Sequence, residues 1–516
     1  MSNLPAARYS SQLLITSITL LAAIASAEDY HVVKWQRVEL SNEFTAEGAG
    51  TGDFNRDGKL DIVAGPYWYA GPDFQKRRAY YEPKVLDPAH YSDNFFTYSE
   101  DFNRDGWTDI LIIGFPGADA SWFENPKGQD RYWPRHKVMD VVDNESPTFI
   151  DITGDGKREI VCSVGGFFGY AEVNAQDAAL PWKFHPISDK SAGGRFTHGL
   201  GVGDMDGDGR MDLLEKTGWW QQPKSLAGNL QWTKHPFAFS GPGGAQMYAY
   251  DLDGDGDNDV ITSLAAHGFG LAWYEHVKDG DAITFKRHLI MGEKSSDNRY
   301  GVRFAELHAI DLVDIDGDGV KDIITGKRWW SHGAKGDPDP QTPEVVYWFQ
   351  TVRVGESGQV NFIPHLIDDN SGVGVEVKAR DVNGDELPDI IIGNKRGAFV
   401  HLQSRKKVSQ QQYLAAQPLA VDDLAKPSTD GLPDNAGLKP EEAAAAITLP
   451  KGFQAKLVAG EPDVHQPVAF TIDERGRLWI AEAHTYPRRA PDGQGKDRII
   501  ILADEDADGK FETRKV

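Results

Sequence analysis

Short apolar runs separated by polar, glycine-rich turns recur along most of the chain, always in the same order. A run such as Gly201-Val202-Gly203 leads into an acidic loop. A second run follows the loop, as at Ile62-Val63-Ala64, Ile110-Leu111-Ile112 or residues 389–392. After a Gly-rich turn comes an aromatic run, Trp122-Phe123, Trp273-Tyr274 or Tyr347-Trp348-Phe349. The unit ends on aromatic-x-x-His, seen from Trp133 to His136, Trp182 to His185, Trp232 to His235, Phe285 to His288 and Phe362 to His365. Runs this short, bounded by turn residues, predict strands, four to a unit.

The loop carries an acid or amide at positions 1, 3, 5 and 9, then an aliphatic residue. Its copies are Asp53, Asn55, Asp57, Asp61; Asp101, Asn103, Asp105, Asp109; Asp151, Thr153, Asp155, Glu159; and Asp204, Asp206, Asp208, Asp212. The rest are Asp251, Asp253, Asp255, Asp259; Asp314, Asp316, Asp318, Asp322; and Asp381, Asn383, Asp385, Asp389, with starts 48, 50, 53, 47, 63 and 67 residues apart. Six copies place Gly at position 6, where a sharp turn needs a positive φ, and the seventh places Glu386 there. Alternate side chains of a tight loop converge, giving a hard dication the roughly six to eight oxygens it takes at about 2.3–2.6 Å. Calcium, Ca2+, is expected in seven structural sites. Magnesium wants a stricter octahedron, and zinc or copper would want His or Cys. The loops are not EF-hands, which have helical flanks and a bidentate Glu at position 12.

Four strands per unit, seven times over, predict an all-β chain: a seven-bladed β-propeller with calcium loops. The seventh unit stops after its third strand, residues 398–402, and Trp35 to Leu40 has the character of the missing outer strand. The N-terminal strand is therefore expected to close the ring, which removes an open sheet edge.

The remaining segments read differently. Arg8, the apolar run Leu13 to Ala25 and Ala25-Ser26-Ala27 before Glu28 predict a signal peptide over residues 1–27, with an apolar part shorter than the roughly 20 residues of a spanning helix. The mature protein is expected to be exported, periplasmic or extracellular, with no transmembrane segment after signal cleavage. The propeller is expected over 28–404 and a linker rich in Gln, Ala, Pro and Asp over 405–439. Residues 440–516 are expected to be the incomplete start of a second propeller-like domain, with an eighth acidic loop at Asp504, Asp506, Asp508 and Glu512. One blade cannot bury its own faces.

Composition narrows the functions. Of 516 residues, 78 are Asp or Glu against 54 Lys or Arg, a net charge of −24, and Cys162 is the single cysteine. A disulfide framework is impossible, and a basic nucleic-acid-binding surface is disfavoured, so no nucleic acid is expected as a partner. The seven loops hold 24 carboxylates at their four positions, as many as the whole acid excess. No GxSxG, HExxH, CxxCH or phosphate-binding glycine loop occurs, which leaves hydrolase, metalloprotease, covalent haem and nucleotide chemistry unsupported.

Over about residues 30–404 the loops and their flanking strands resemble FG-GAP or VCBS repeats, the propeller units of integrin alpha heads and many bacterial exported proteins; the resemblance implies a propeller and bound calcium. Residues 440–516 resemble the opening of the sorbosone-dehydrogenase-like propeller of planctomycete-type membrane-bound dehydrogenases. The segments that carry this are Leu449-Pro450-Lys451-Gly452-Phe453, Phe470 to Glu482 and Arg498 to Leu502. This second resemblance implies an oxidoreductase setting.

Candidate chemistry sits at the start of each innermost strand, on the side opposite the loops. Six residues before each first loop acid stand Glu47, Phe95, Glu145, His198, Ala245, His308 and Val375, with Gln246 and Glu376 one residue later. Glu47, Glu145, His198, Gln246, His308 and Glu376 are expected to crowd one mouth of the channel, joined from turns by Lys216, His267, Lys327, Arg328, Lys395 and Arg396. One reading is a solvated polar mouth in a module that binds or scaffolds a protein or carbohydrate. In the other, His198 and His308, with Glu145 or Glu376, serve as catalytic acid and base or hold a further metal in the channel, while Lys and Arg stabilise an enediolate. That would make the protein a lyase or isomerase of sugar-derived carbonyl compounds; the similarity to aldos-2-ulose dehydratases, which use a related propeller, rests on architecture and this ring. The fourth-strand histidines recur with the unit and are read as structural.

Overall fold

The computed structural model describes residues 30–228, 231–280, 282–355, 358–420, 438–484, 495–506, 509, 511 and 513–516. The expected signal peptide, most of the expected linker, and Asp508 and Glu512 of the eighth acidic loop lie outside the described residues. Two compact units divide the chain, residues 1–422 and 423–516.

Within the first unit the apolar runs become strands in antiparallel meanders of four. The second meander is representative: Phe96–Glu100, Asp109–Ile113, Ala118–Phe123 and Arg135–Val142 pair in sequence order. Five four-stranded sheets follow this plan, and one eight-stranded sheet is two such meanders joined where Leu200–Gly203 lies parallel to Gln246–Tyr250. The last sheet takes its outer strand from the other end of the chain: His31–Ser41 runs antiparallel to Gly397–Lys407, with Trp35 opposite Gln403. That partner carries the strand past the expected boundary at 404 to Lys407. The chain then turns into a short helix, Gln410–Ala416, capped by the Ser409 hydroxyl, and Tyr413 packs on Tyr30. The first part of the expected linker is thus ordered structure.

Each acidic loop joins a first strand to a second. Its position-9 carboxylate opens the second strand, is buried, and in six of the seven copies accepts two backbone N–H groups. Asp109 takes Phe102 N at 3.0 Å from its own loop and Asn125 N at 2.8 Å from the end of the third strand. Asp61, Asp212, Asp259, Asp322 and Asp389 repeat both contacts. Glu159, one methylene longer, takes Ile152 N at 3.1 Å. In six of the loops the position-1 carboxylate takes the position-6 N–H, as in Gly58 to Asp53 at 3.0 Å. Glu386 makes the same contact to Asp381 at 2.8 Å with φ at +67°, so the copy without glycine keeps the turn.

Amides on or just past the third strand tie neighbouring meanders together. Asn125 Nδ2 donates to Phe54 O at 2.9 Å, Gln222 Nε2 to Ile152 O at 2.6 Å and Gln403 Nε2 to Ile315 O at 2.7 Å, each reaching the loop of the preceding meander. Apolar packing follows the same neighbour rule. One cluster combines Phe102 and Trp122 of the second meander with Phe149 and Trp182 of the third. Another combines Ile62 and Tyr69 of the first meander with Ile391 and Val400 of the last.

The second unit holds one antiparallel sheet, Pro467–Ile472, Leu478–Glu482, Arg498–Ala503 and Thr513–Lys515, over a small core of Val464, Ile480, Ile500 and Leu502. Asp504 and Asp506 follow its third strand, where Gly509 N donates to Asp504 at 2.8 Å. Among the described residues no helix is long and apolar enough to cross a membrane.

Asn125 also donates to Thr108 O at 3.0 Å, so Asn125→Leu strands two carbonyl acceptors in a buried seam. The expected loss is about 2–4 kcal/mol of unfolding free energy by urea titration; a loss under about 0.5 kcal/mol would show that the amide ties are dispensable.

Candidate functional site

The segments that lead into the first strands of neighbouring meanders are hydrogen-bonded side by side, and this brings distant residues together. Glu145 N donates to Thr197 O at 2.9 Å, so Glu145 and His198 travel as neighbours. Glu306 N donates to Gly268 O at 2.9 Å and Arg328 N to Glu306 O at 3.0 Å, which sets His308 beside the turn carrying His267. Three non-glycine residues here hold positive φ: Phe196 at +66°, Glu306 at +64° and Trp330 at +55°. Such strain persists only where the surroundings over-determine it, and it concentrates at functional sites.

His198, His267 and His308 form a triangle of imidazoles. His198 Nε2 lies 3.1 Å from His267 Nε2, and the ring centroids are 4.9 Å apart for His198 and His267, 4.4 Å for His267 and His308 and 5.6 Å for His198 and His308. With the carboxylate of Glu145 they present four donor atoms within 4.8 Å of one another. Glu306 Oε2 lies behind them, 3.6 Å from His308 Nδ1 and 3.8 Å from His267 Nδ1, and accepts the Ser331 hydroxyl at 2.5 Å. On the rim, His332 Nδ1 meets Asp337 Oδ1 at 2.6 Å, and the His332 ring packs against His267.

Burial dominates the protonation of this cluster. It pushes His198 down to about 3 and His308 well below the usual imidazole range, with Arg328 and the neighbouring imidazoles adding repulsion. Both rings are therefore neutral near pH 7 and keep a lone pair. The 3.8 Å approach of His198 Nδ1 to Glu145 is accordingly a polar contact and not an ion pair. Burial raises Glu145, opposed by Arg328 and His267. The cluster opens on a cavity of about 490 Å³, walled by Tyr91, Phe95, Phe115 and Phe196 with Arg328 and His332. Phe115 packs against Tyr91, Phe95 and Phe196 at 5.0–5.5 Å between centroids. A larger groove of about 1010 Å³ between the first two meanders is lined by Trp68, Trp133, Arg77 and Arg131, away from these imidazoles.

Of the expected mouth residues, Glu145, His198, His308 and the turn residue His267 come together. Glu376 does not join them: its carboxylate is 3.0 Å from Lys378 and accepts Thr97 N at 3.3 Å. Gln246 is spent on Val375 O and Ile310 N. Glu47 is buried against Arg328 and Ser92 N. Lys327 is bound to Asp339 O, Thr342 O and Thr342 Oγ1, and Lys395, pushed down to about 8 by burial, donates to Trp330 O at 3.0 Å. Lys327 and Arg328, expected to steady an enediolate, are thus occupied by protein oxygens. Sequence reasoning did not single out Glu306, Ser331, His332 or Asp337. Three of them lie in the long connection that makes the sixth unit 67 residues, and that length was their visible signal.

In the acidic loops, Asp151, Asp155 and Glu159, and likewise Asp204, Asp206 and Asp212, place carboxylate oxygens within 4.8 Å of each other. Burial first, and then the neighbouring carboxylates, push the position-9 groups up, to about 6 at Asp61 and Asp389, about 7 at Asp109, Glu159, Asp212 and Asp259, and about 8 at Asp322. The oxygen donors fit a hard dication. The fourth-strand histidines stack on the neighbouring strand, His235 on Trp219 at 4.1 Å and His185 on Tyr170 at 5.0 Å, as a structural reading requires.

Comparison with known proteins supports the repeat. The FG-GAP-like repeat family matches residues 101–162, which span the second and third acidic loops. Residues 439–516 match a domain of unknown function (DUF7133). No curated protein matches the chain. Similar solved structures include an Agrocybe aegerita lectin described for specific recognition of non-reducing terminal N-acetylglucosamine, at 19% identity over 73% of this chain and 86% of the lectin, with TM-score 0.38. The V. cholerae biofilm matrix protein Bap1 matches at 12% identity over 72% and 78%, TM-score 0.32, and a streptogramin B lyase at 10% over 73% and 98%, TM-score 0.40.

Arg328→Met leaves the Glu47 carboxylate buried without its cation and is expected to cost about 3–5 kcal/mol of stability. Adding Glu47→Gln should restore about half; a double variant no more stable than the single one would show that the two charges are not a coupled pair.

Proposed function

We propose that residues 30–407 form an exported, seven-bladed propeller, closed by His31–Ser41 and stabilised by calcium in its seven acidic loops, that binds a carbohydrate in the imidazole-lined cavity. The ring is supported by apolar clusters between successive meanders, including first with last. Calcium is supported by the repeated oxygen donor set, and export by the N-terminal sequence. The oxidoreductase setting implied by the resemblance of residues 440–516 belongs to the same proposal as a partner activity.

One observation carries the binding role: the imidazoles of His198 and His267 and the carboxyl of Glu145 face an aromatic wall across a cavity of about 490 Å³. Small-ligand sites combine apolar walls with a few convergent polar groups. A sugar offers both faces, C–H groups to Phe115 and Phe196 and hydroxyls to the imidazoles. The second reading, a lyase or isomerase of sugar-derived carbonyl compounds, is favoured by the convergence of His198, His308 and Glu145, in which Glu145, raised by burial, is better matched to take a proton alpha to a carbonyl than imidazoles that burial holds below their usual range.

Chelation should lower the melting temperature, since calcium bound only by the folded chain adds about 2.7 kcal/mol per site at a hundredfold excess over Kd. The position-9 carboxylates titrate higher folded than unfolded. Their contribution in chelated protein is therefore complete below their ordinary range and fades as pH rises through about 6 to 8. Chelated protein should melt lower at about pH 8 than at about pH 5, and calcium should rescue it most at the higher pH with release of protons. A melting curve indifferent to exhaustive EDTA would sink the calcium assignment.

Function is tested by titrating a panel of neutral, oxidised and anhydro sugars while following turnover. Binding that weakens about three- to tenfold in Phe196→Ala supports the cavity as the site. Turnover lost in His198→Ala selects the lyase reading. Failure of every sugar to bind would overturn the carbohydrate assignment.

A further inference from the structure

We propose that the mouth is also a transition-metal centre of the zinc class, held by Glu145, His198, His267 and His308 and distinct from the acidic loops in donor chemistry. It deepens the cavity reading and rests on it. Four donor atoms from four meanders lie within 4.8 Å of one another, and the 3.1 Å between His198 Nε2 and His267 Nε2 is close to the roughly 3.3 Å edge of a tetrahedron with metal–nitrogen bonds of about 2.0–2.1 Å. The three imidazoles, packed edge to face, are only partly compensated by the protein: His198 Nε2 meets His267 Nε2, and His308 Nε2 lies 3.4 Å from the Ser331 hydroxyl. Nδ1 of His267, Nδ1 of His308 and Oε1 of Glu306 are buried together with no hydrogen-bond partner.

The outer groups match what a metal-bound histidine needs. Glu306, fixed in a left-handed conformation and gripped by Ser331, presents one carboxylate oxygen toward Nδ1 of both His267 and His308. Carboxylates in that position orient ligating imidazoles and raise their basicity. The Asp337-held His332 stands beside His267 and, with it, forms a second donor group at the cavity rim. Three nitrogens and one carboxylate select zinc, cobalt, nickel or copper, whereas the oxygen-only loops select calcium. One chain would thus sort two cations by donor chemistry. A metal at the mouth faces the aromatic cavity and polarises a carbonyl or hydroxyl oxygen of whatever sugar enters.

The test uses the full chain, stripped with EDTA, reloaded with excess calcium and titrated with zinc by calorimetry and with cobalt by visible absorption. One zinc per chain should bind without displacing calcium, and cobalt should give the strong visible bands of a four-coordinate nitrogen-rich site. His267→Ala, whose ring is a third exposed, and His198→Gln should each weaken zinc by at least ~100-fold, and Glu306→Gln by about 10–100-fold, while calcium-dependent melting is kept. Should His198→Gln fail to fold, His267→Ala and Glu306→Gln still decide the matter. No zinc uptake by calcium-loaded wild type, or uptake unchanged in His267→Ala and Glu306→Gln, overturns the proposal. Sugar titrations with and without zinc separate the two readings: zinc bound without any sugar overturns the carbohydrate site alone, and sugar bound by a chain that takes no zinc overturns the metal alone.

Discussion

The buried carboxylate that opens each second strand is the constraint on which the rest depends. In six of the seven loops it accepts one N–H from its own loop and one from the third strand, so a single side chain sets the loop, starts one strand and fastens it to another. Burial alone would push such a group toward its neutral form, and the other loop acids push the same way. The motif therefore stores electrostatic cost at every repeat. That cost is tolerable because it is spread over seven sites, six of them with two backbone donors. Amides such as Asn125 and Gln403 then carry the geometry of one loop into the next meander, and a local turn motif becomes a long-range ruler.

At the opposite end of the meanders the balance is different. The approach segments are not clipped by repeating carboxylates. They are joined by backbone contacts such as Glu145 to Thr197 and by parallel pairing of the first strands of the fourth and fifth meanders. Side chains there are free of the repeat's demands, and the result is an asymmetric assembly: imidazoles on one side, the Glu47–Arg328 pair on another and four aromatic rings across the opening. Positive φ at Phe196, Glu306 and Trp330 marks where the backbone departs from the repeat to aim a particular side chain.

Legibility in the sequence follows this division. Strands, acidic loops and the pairing of the N-terminal strand could be read because each unit repeats the same pattern and errors in one copy are corrected by the others. Glu145, His198 and His308 could be found because they share one offset from the loop. Glu376 and Gln246 were misplaced for a definite reason: they sit one residue later, and in an extended chain that single step turns a side chain to the other face. Glu306, Ser331, His332 and Asp337 were hidden because they obey no repeat offset. Glu306 in particular depends on a left-handed backbone that no spacing rule announces.

The pairing of His31–Ser41 with Gly397–Lys407 ties together segments almost 370 residues apart, Trp35 with Gln403. During synthesis at roughly 5–20 residues per second, the first strand must wait roughly 20–70 s for its partner to be made. For that interval an 11-residue strand of mixed apolar and charged residues has no native place to go. The charges Lys34, Arg37 and Glu39 along it are then a provision for waiting: they keep an unpaired strand from adding itself to the wrong edge until the last one is translated.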